Sequence, residues 1–307
     1  MTQDKDSGRM TQAIGVDLGG TAIKLGRFRE DGTELESLTV DTPQPATPTA
    51  VIEAIVAAIS RLDTREEVMG IGVGCPGPAD VAGRIAKVAI NLTDWHDVPL
   101  ADHLEAKVGY PTVVANDANC AGLGEAWLGA GRRFRNLILL TLGTGVGGAI
   151  IFDGQLFTGH LGSAGELGLI NLYPDGPEGN SGNRGSLEQY LSIRAIRSNS
   201  GKEPAELGKL AQQGNQEALE FWADYGRLLG IGLTSLIYPL TPEAIIIGGG
   251  ISASAEFFLP TTLAEIEQRV LPSSRTGLEL LKAELGNRAG MVGAARLAWQ
   301  KHVKSRI

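Results

Sequence analysis

Residues 13–28, AIGVDLGGTAIKLGRF, decide the fold. An apolar run reaches Asp17, breaks at Gly19, Gly20 and Thr21, and resumes as AIKLGRF. Two apolar runs around a short glycine turn read as a β-hairpin. Residues 136–152, NLILLTLGTGVGGAIIF, repeat the plan with a turn at Gly143, Thr144 and Gly145. A third apolar strand, 243–252, runs into Gly248, Gly249 and Gly250 and on into a helix. Glycine has no Cβ to hold a ligand off the backbone, so such turns let N–H groups converge on an anion.

Working outward from the first hairpin, a strand is expected near 34–40. Pro48 then opens a helix over 49–62, with Val51, Ile55, Ile59 and Leu62 on one face. Strands follow at 68–74 and 111–116, and helices at 98–108 and 117–129. Past the second hairpin, Ser186 and Gln189 form a capping box for a helix over 187–197. A long helix spans 215–238 and ends before Pro239, a strand spans 278–285, and a final helix spans 289–303. The theme occurs twice, so the fold class is α/β with two similar halves. The expected division is a disordered lead-in at 1–12, a small α/β lobe at 13–117 and a large α/β lobe at 118–288. The final helix is expected to pack back on the small lobe, and ligands to sit in the cleft between lobes.

Composition narrows the function classes. The 307 residues include 42 Gly, nearly twice the usual share of about 7%, without a collagen period. Apolar content of 43% and charged content of 20% exclude a disordered chain. No apolar run approaches the ~18 residues of a membrane span, and the polar first residues lack the apolar stretch of a secretory leader. The net charge of -8 disfavours nucleic acid. The only basic cluster is Arg132, Arg133 and Arg135. Cys75 and Cys120 read as buried small hydrophobes in a reducing, cytoplasmic setting. None of His96, His103, His160 and His302 stands at metal-ligand spacing from a Cys or another His. Trp95, Trp127 and Trp222 read as packing residues.

The three glycine turns together favour a nucleotide phosphate site. A Walker pattern is absent, and GTGVGG (143–148) opens a strand rather than a helix, which excludes a Rossmann unit. Asp17, closing a strand, suits a hydrated Mg²⁺, and Thr21 adds a hydroxyl. Phosphoryl transfer to an alcohol needs a carboxylate to take the proton. NDAN (116–119) supplies one at a strand end, with Asp117 as base and Asn116 as sugar partner, although spacing alone favours a helix N-cap. Lys24 reads as either a phosphate contact or a solvated side chain.

The chain resembles the ROK family of bacterial sugar kinases and repressors, within the actin-like ATPase superfamily, a duplicated ribonuclease-H-like fold. The resemblance rests on GVDLGGTAIKLG (15–26), GVGCPGP (72–78), NDAN, TLGTGVGG (141–148), GELG (165–168), GGGIS (248–252) and NRAGMVGAA (287–295). It implies transfer of the γ-phosphate of ATP, with Mg²⁺, to the 6-hydroxyl of a hexose, Asp117 being the general base. It places Asp17, Gly19, Gly20, Thr21, Thr144, Gly145 and Gly249 around the nucleotide. It places Gly77, Asn91, Asn116, Asp117, Glu166 and Glu188 around the sugar. The segment NLTDWHDVPL (91–100) is similar to that of hexose-specific members and favours glucose. A homodimer or tetramer is implied as well.

Two departures stand out. The family's E-x-G-H ends here in Leu169, and its C-x-C-G-x-x-G-C-x-E reads GNSGNRGSLE (179–188). Leu169, Gly179, Ser181 and Ser186 therefore stand at the family's zinc-ligand positions, and no zinc is expected. Loss of the His admits mannose as an alternative acceptor. An N-acetylated amino sugar, polyphosphate as donor and a catalytically weak sensor are further alternatives. About a dozen residues precede the first hairpin, too few for the DNA-binding domain of a repressor.

Overall fold

The computed structural model describes residues 11–62, 67–89 and 91–305, with only the backbone of 302–305. Residues 1–10 of the expected lead-in and the His302 side chain lie outside the described residues. The chain forms two compact units. The first holds residues through Leu128, 158–164 and those from Asn287 onward; the second holds 129–157 and 165–286.

The first unit opens with β1 (Thr11–Leu18), β2 (Ala22–Phe28) and β3 (Glu34–Asp41), followed by α1 (Pro48–Ile59) and β4 (Glu67–Cys75). A small ribbon, β5 (Ala86–Val88) and β6 (His96–Val98), leads to α2 (Leu100–Val108), β7 (Thr112–Asn116) and α3 (Asp117–Trp127). The sheet order is β3-β2-β1-β4-β7, antiparallel through β3, β2 and β1 and parallel through β1, β4 and β7. Strand β1 already includes Thr11 and Gln12, which corrects the expected lead-in. Gln12 is fully buried and accepts a 2.6 Å hydrogen bond from Arg27.

The second unit repeats the plan. β8 (Leu137–Leu142), β9 (Val146–Phe152) and β10 (Gln155–Leu156) are followed by α4 (Leu187–Leu191), α5 (Ile193–Ser200), α6 (Pro204–Gln212) and α7 (Gln216–Leu240). Then come β11 (Ala244–Gly248), α8 (Ala255–Arg269), α9 (Pro272–Arg275) and β12 (Glu279–Lys282). Its sheet order, β10-β9-β8-β11-β12, has the same sequence of antiparallel and parallel pairs. Helix α7 packs its apolar stripe on this sheet, with Trp222, Leu229, Leu233 and Ile237 inaccessible to solvent. The Tyr225 hydroxyl donates to the Leu191 carbonyl at 2.8 Å, so a buried phenol keeps a partner.

Three local expectations fail for identifiable reasons. The Ser186–Gln189 capping box does not form. The buried Ser186 hydroxyl has no partner, and the helix breaks at Ser192, whose own hydroxyl caps α5 by accepting from the Ala195 N–H. Helix α7 runs past Pro239 to Leu240, because a proline in the last turn forfeits only one hydrogen bond. A 3-10 turn, Gly250–Ser254, separates the glycine run from α8. The ribbon of β5 and β6 and the helix α6 go unread in the sequence.

The last helix, α10 (Ala289–Ser305), belongs to the first unit. It lies directly on backbone. A Cβ on Gly15 would sit 1.9 Å from the Met291 carbonyl oxygen, and one on Gly72 would sit 1.8 Å from that of Ala294. Helix α3 joins the same packing: a Cβ on Gly293 would meet the Cys120 carbonyl oxygen at 1.6 Å. This seating holds α3 in the first unit, so the division expected after residue 117 falls after Leu128. Gly72→Ala is expected to cost at least about 2 kcal/mol in urea unfolding, since backbone on both sides cannot yield. Gly250→Ala, where a Cβ would meet nothing within 4 Å, should stay within about 0.5 kcal/mol.

Candidate active site

Strands β1, β4 and β7 run parallel, so Leu18, Cys75 and Asn116 end at one edge of the first sheet. Ligands of open α/β sheets bind beyond such carboxyl ends. Asp17 lies opposite Lys24 across the hairpin, and Lys24 Nζ stands 3.3 Å from Asp17 Oδ2. The Asp17 side chain is 17% exposed. Burial raises its pKa and outweighs the pull of Lys24. The first turn of α10 closes on it, since a Cβ on Gly290 would stand 2.8 Å from Asp17 Cγ. The glycine turn is held by its carbonyls. Thr42 Oγ donates to Gly19, the Thr42 N–H to Thr21, and Gln44 Nε2 to Gly20, at 2.7, 2.9 and 3.2 Å. Gly20 and Thr21 remain exposed. The Asn91 carbonyl faces Gly20, 3.9 Å from where its Cβ would be. Trp95, almost wholly buried, pins this loop by donating from Nε1 to the Ala46 carbonyl at 2.8 Å.

At the next strand ends, Gly77, Asn116 and Asp117 meet. Asn116 Nδ2 donates to the Gly77 carbonyl at 3.1 Å and to Asp117 Oδ1 at 3.0 Å. Asn116 Oδ1 accepts from the Asn119 N–H and caps α3. The cap and the site therefore coexist: Asn116 is the cap, and Asp117 is the first helical residue. Asp117 Oδ1 also accepts the Ala118 N–H at 2.8 Å, which fixes the carboxylate against the helix start. Gly77 has φ +77°, and a Cβ there would stand 1.8 Å from the Val88 carbonyl oxygen. Burial, with the Asp117 charge second, pushes the Cys75 thiol up to about 12, and Cys120 is raised by burial too. Both thiols stay protonated and unreactive.

In the second unit the turn at Gly143–Gly145 is sealed by Glu188. Glu188 Oε2 accepts from the Val146 N–H at 3.0 Å, and a Cβ on Gly145 would meet that oxygen at 2.5 Å. Gly249, with φ +81°, lies against Leu142 at the end of β8. Thr144, Gly145 and Gly249 thus share one sheet edge. Glu166 sits one residue before the 3-10 turn Leu167–Leu169. The residue is exposed as a whole, but its carboxyl is partly withdrawn from water and close to Glu188; both effects raise its pKa, the first more. Arg132, Arg133 and Arg135 lie before β8, at the opposite end of its sheet from Thr144. They pair with Glu284, Glu279 and Asp153. His160 is exposed on a loop of the first unit.

The donor sets separate the two metals. Asp17 fits Mg²⁺, which takes one or two carboxylates and fills its shell with water and phosphate oxygens. Leu169, Gly179, Ser181 and Ser186 provide no thiolate, imidazole or carboxylate, so they do not fit zinc.

The ROK family's sequence profile matches residues 13–301. The chain belongs to the ROK family. Glucokinase from Streptomyces coelicolor is 37% identical over 94% of this chain and 98% of its own. A ROK family glucokinase from Streptomyces griseus, crystallised with glucose and AMPPNP, is 36% identical with a TM-score of 0.78. That match covers 94% of this chain and 99% of the other. The ROK hexokinase of Thermus thermophilus is 32% identical with a TM-score of 0.84, covering 96% and 99%. The fold is accordingly the two-lobed actin-like fold of ROK sugar kinases.

Sequence reasoning left Lys24 undecided and missed Thr42, Gln44 and Gly290. Counting the register of the hairpin would have set Lys24 opposite Asp17. The others are distant in sequence from what they touch.

The raised pKa of Asp17 has a consequence for stability. The folded chain holds this proton more tightly than the unfolded chain, so the group's contribution is full below the ordinary value of 3.8. It is lost as pH rises through the higher folded value. Asp17→Asn is therefore expected to exceed the parent in melting temperature at neutral pH, with the gap closing below pH 3.8. A gap that does not change with pH would contradict this.

Proposed function

We propose that this ROK protein is an ATP-dependent glucokinase that phosphorylates the 6-hydroxyl of glucose. The observation that carries the reading is Asp117: a carboxylate fixed at the start of α3 by the Ala118 N–H and Asn116, beside Gly77. In the reaction, Asp117 takes the proton of the sugar 6-hydroxyl as that oxygen bonds to the γ-phosphorus. The bond to the bridging oxygen breaks and ADP leaves. Asn91, Asn116, Glu166, Glu188 and the Gly77 turn hold the sugar hydroxyls. The turns at Gly19–Thr21 and Thr144–Gly145, with Gly249, hold the nucleotide. Asp17 would hold Mg²⁺ through water, and bound Mg²⁺ neutralises charge on the β- and γ-phosphates.

The donor is ATP rather than polyphosphate. Each guanidinium of the Arg132–Arg135 cluster already faces a carboxylate, at the far end of the second sheet from Thr144. Mannose is the second acceptor, because half-buried Leu169 offers a sugar no hydrogen bond where the family has His. The buried free thiols Cys75 and Cys120 suit a reducing cytoplasm, and a symmetric homo-oligomer is the form we assign.

A coupled assay with ATP and Mg²⁺ tests the reading. Glucose should turn over, mannose should follow within an order of magnitude, and polyphosphate should not replace ATP. Asp117→Asn should lower kcat by about 10²–10⁴-fold while glucose binding by calorimetry stays within a few-fold. Failure of the parent to phosphorylate any hexose would refute the proposal.

A further inference from the structure

Two carboxylates of the second unit, Glu166 and Glu188, are 22 residues apart in sequence, yet the Glu188 charge adds to burial in raising the Glu166 pKa. Their spacing depends on what ties the chain after Glu166 to the chain before Glu188. Backbone pairing supplies part of the tie. The Leu187 N–H donates to the Ile170 carbonyl and the Leu172 N–H to the Gly185 carbonyl, both at 2.8 Å. No strand extends this pairing beyond the bridge between Asn171 and Ser186.

Two side-chain amides add to the tie: Asn171 Nδ2 donates to the Arg184 carbonyl at 2.5 Å, and Asn183 makes the larger set. Asn183 Nδ2 donates to the Leu169 carbonyl at 2.7 Å. Asn183 Oδ1 accepts from Asn171 Nδ2 at 3.0 Å and from the Arg184 N–H at 2.8 Å. Its backbone carbonyl accepts from the Gly179 N–H at 2.7 Å, which closes the loop that carries it. Leu169 ends the 3-10 turn that Glu166 begins, and its own N–H donates back to the Glu166 carbonyl at 3.1 Å. A bond to the Leu169 carbonyl is therefore a bond to the turn that aims Glu166. On the other side, Glu188 is anchored to the glycine turn through the Val146 N–H. An amide has a donor and an acceptor at fixed spacing, so Asn183 grips both loops at once.

We infer that Asn183 is the positioning residue for the sugar-binding carboxylates: its side-chain amide sets the turn bearing Glu166 at the distance from Glu188 that glucose requires. This deepens the glucokinase reading and rests on it. The amide touches neither carboxylate. Losing it loosens the grip on sugar without touching the proton transfer at Asp117.

Three variants test this. Asn183→Asp keeps the acceptor and removes the donor to Leu169; Asn183→Ala removes both; Asn171→Ala leaves the bond to Leu169 in place. Glucose KM should rise about five- to ten-fold in both Asn183 variants, the effect of one or two lost hydrogen bonds. It should rise less in Asn171→Ala, and kcat and the KM for ATP should stay within two-fold of the parent in all three. In carbon-detected NMR of the Glu166 carboxyl, Asn183→Ala should lower its pKa, as the loosened turn lets water reach the carboxyl and Glu188 draws away. An equal fall in kcat for all three variants, or a lower melting temperature with glucose KM and the Glu166 titration unchanged, would overturn the inference. The NMR titration needs no sugar. A parent that does not phosphorylate glucose but shows the Glu166 shift in Asn183→Ala would sink the glucokinase reading and leave the loop tie standing. A parent that phosphorylates glucose with no shift and no KM change in the variant would do the reverse.

Discussion

The constraint on which the first unit depends is backbone lying on backbone. Helix α10 is seated on β1, β4 and α3 at Gly15, Gly72, Gly124 and Gly293, where a single methyl would collide with a carbonyl or amide. Close seating exchanges side-chain burial for short contacts between polar backbones, and it leaves no slack. That rigidity reaches the chemistry directly. The start of α10 presses Gly290 against Asp17, and the start of α3, clamped by the same helix, carries Asp117. The two acidic groups assigned to nucleotide and sugar thus stand on elements that cannot shift independently. Their setting has a thermodynamic cost, visible in the burial of Asp17 against the pull of Lys24.

The second unit reaches a comparable precision with polar groups. Glu188 fills the space that a side chain on Gly145 would take, so the turn assigned to phosphate and the carboxylate assigned to sugar share one hydrogen bond. Substrate and nucleotide groups are coupled through that contact. The chain between Glu166 and Glu188 forms no regular sheet, only the bridges Asn171–Ser186 and Glu178–Arg184. Amides and backbone carbonyls help to hold it. Hydrogen bonds to an amide are directional, so a loop held this way keeps its geometry without a large core.

Much of this was legible in the sequence because it is local. Both glycine hairpins, the parallel strands that follow and the placement of Asp117 at a strand end come from runs of ten or so residues with one dominant period. Asn116 is a fair test: spacing alone favours the cap, and it is the cap while also bonding Gly77 and Asp117. What stayed hidden depends on partners far along the chain. Ser186 has the pattern of a capping box, but tertiary packing buries its hydroxyl and moves the cap to Ser192. Gly290 and Thr42 carry no signature of their own, since their importance lies in Asp17 and in the carbonyls of Gly19 and Thr21. The carboxylate partners of Arg132 and Arg133, Glu284 and Glu279, are encoded about 150 residues later, so their pairing has no local signal.

The placement of α10 also orders events during synthesis. The second unit draws on one nearly continuous stretch, 129–286, and is complete before α10 is made. The first unit begins the chain but waits for its last helix. Between the translation of Leu128 and Ala289 lie roughly 8–30 s at ~5–20 residues per second. For that interval the glycine-lined face of β1 and β4 emerges from the ribosome uncovered, with apolar strands on the other side already able to collapse on α1 and α2. Until α10 is made, the first unit lacks the helix that covers β1 and β4, whereas the second unit already has all of its elements.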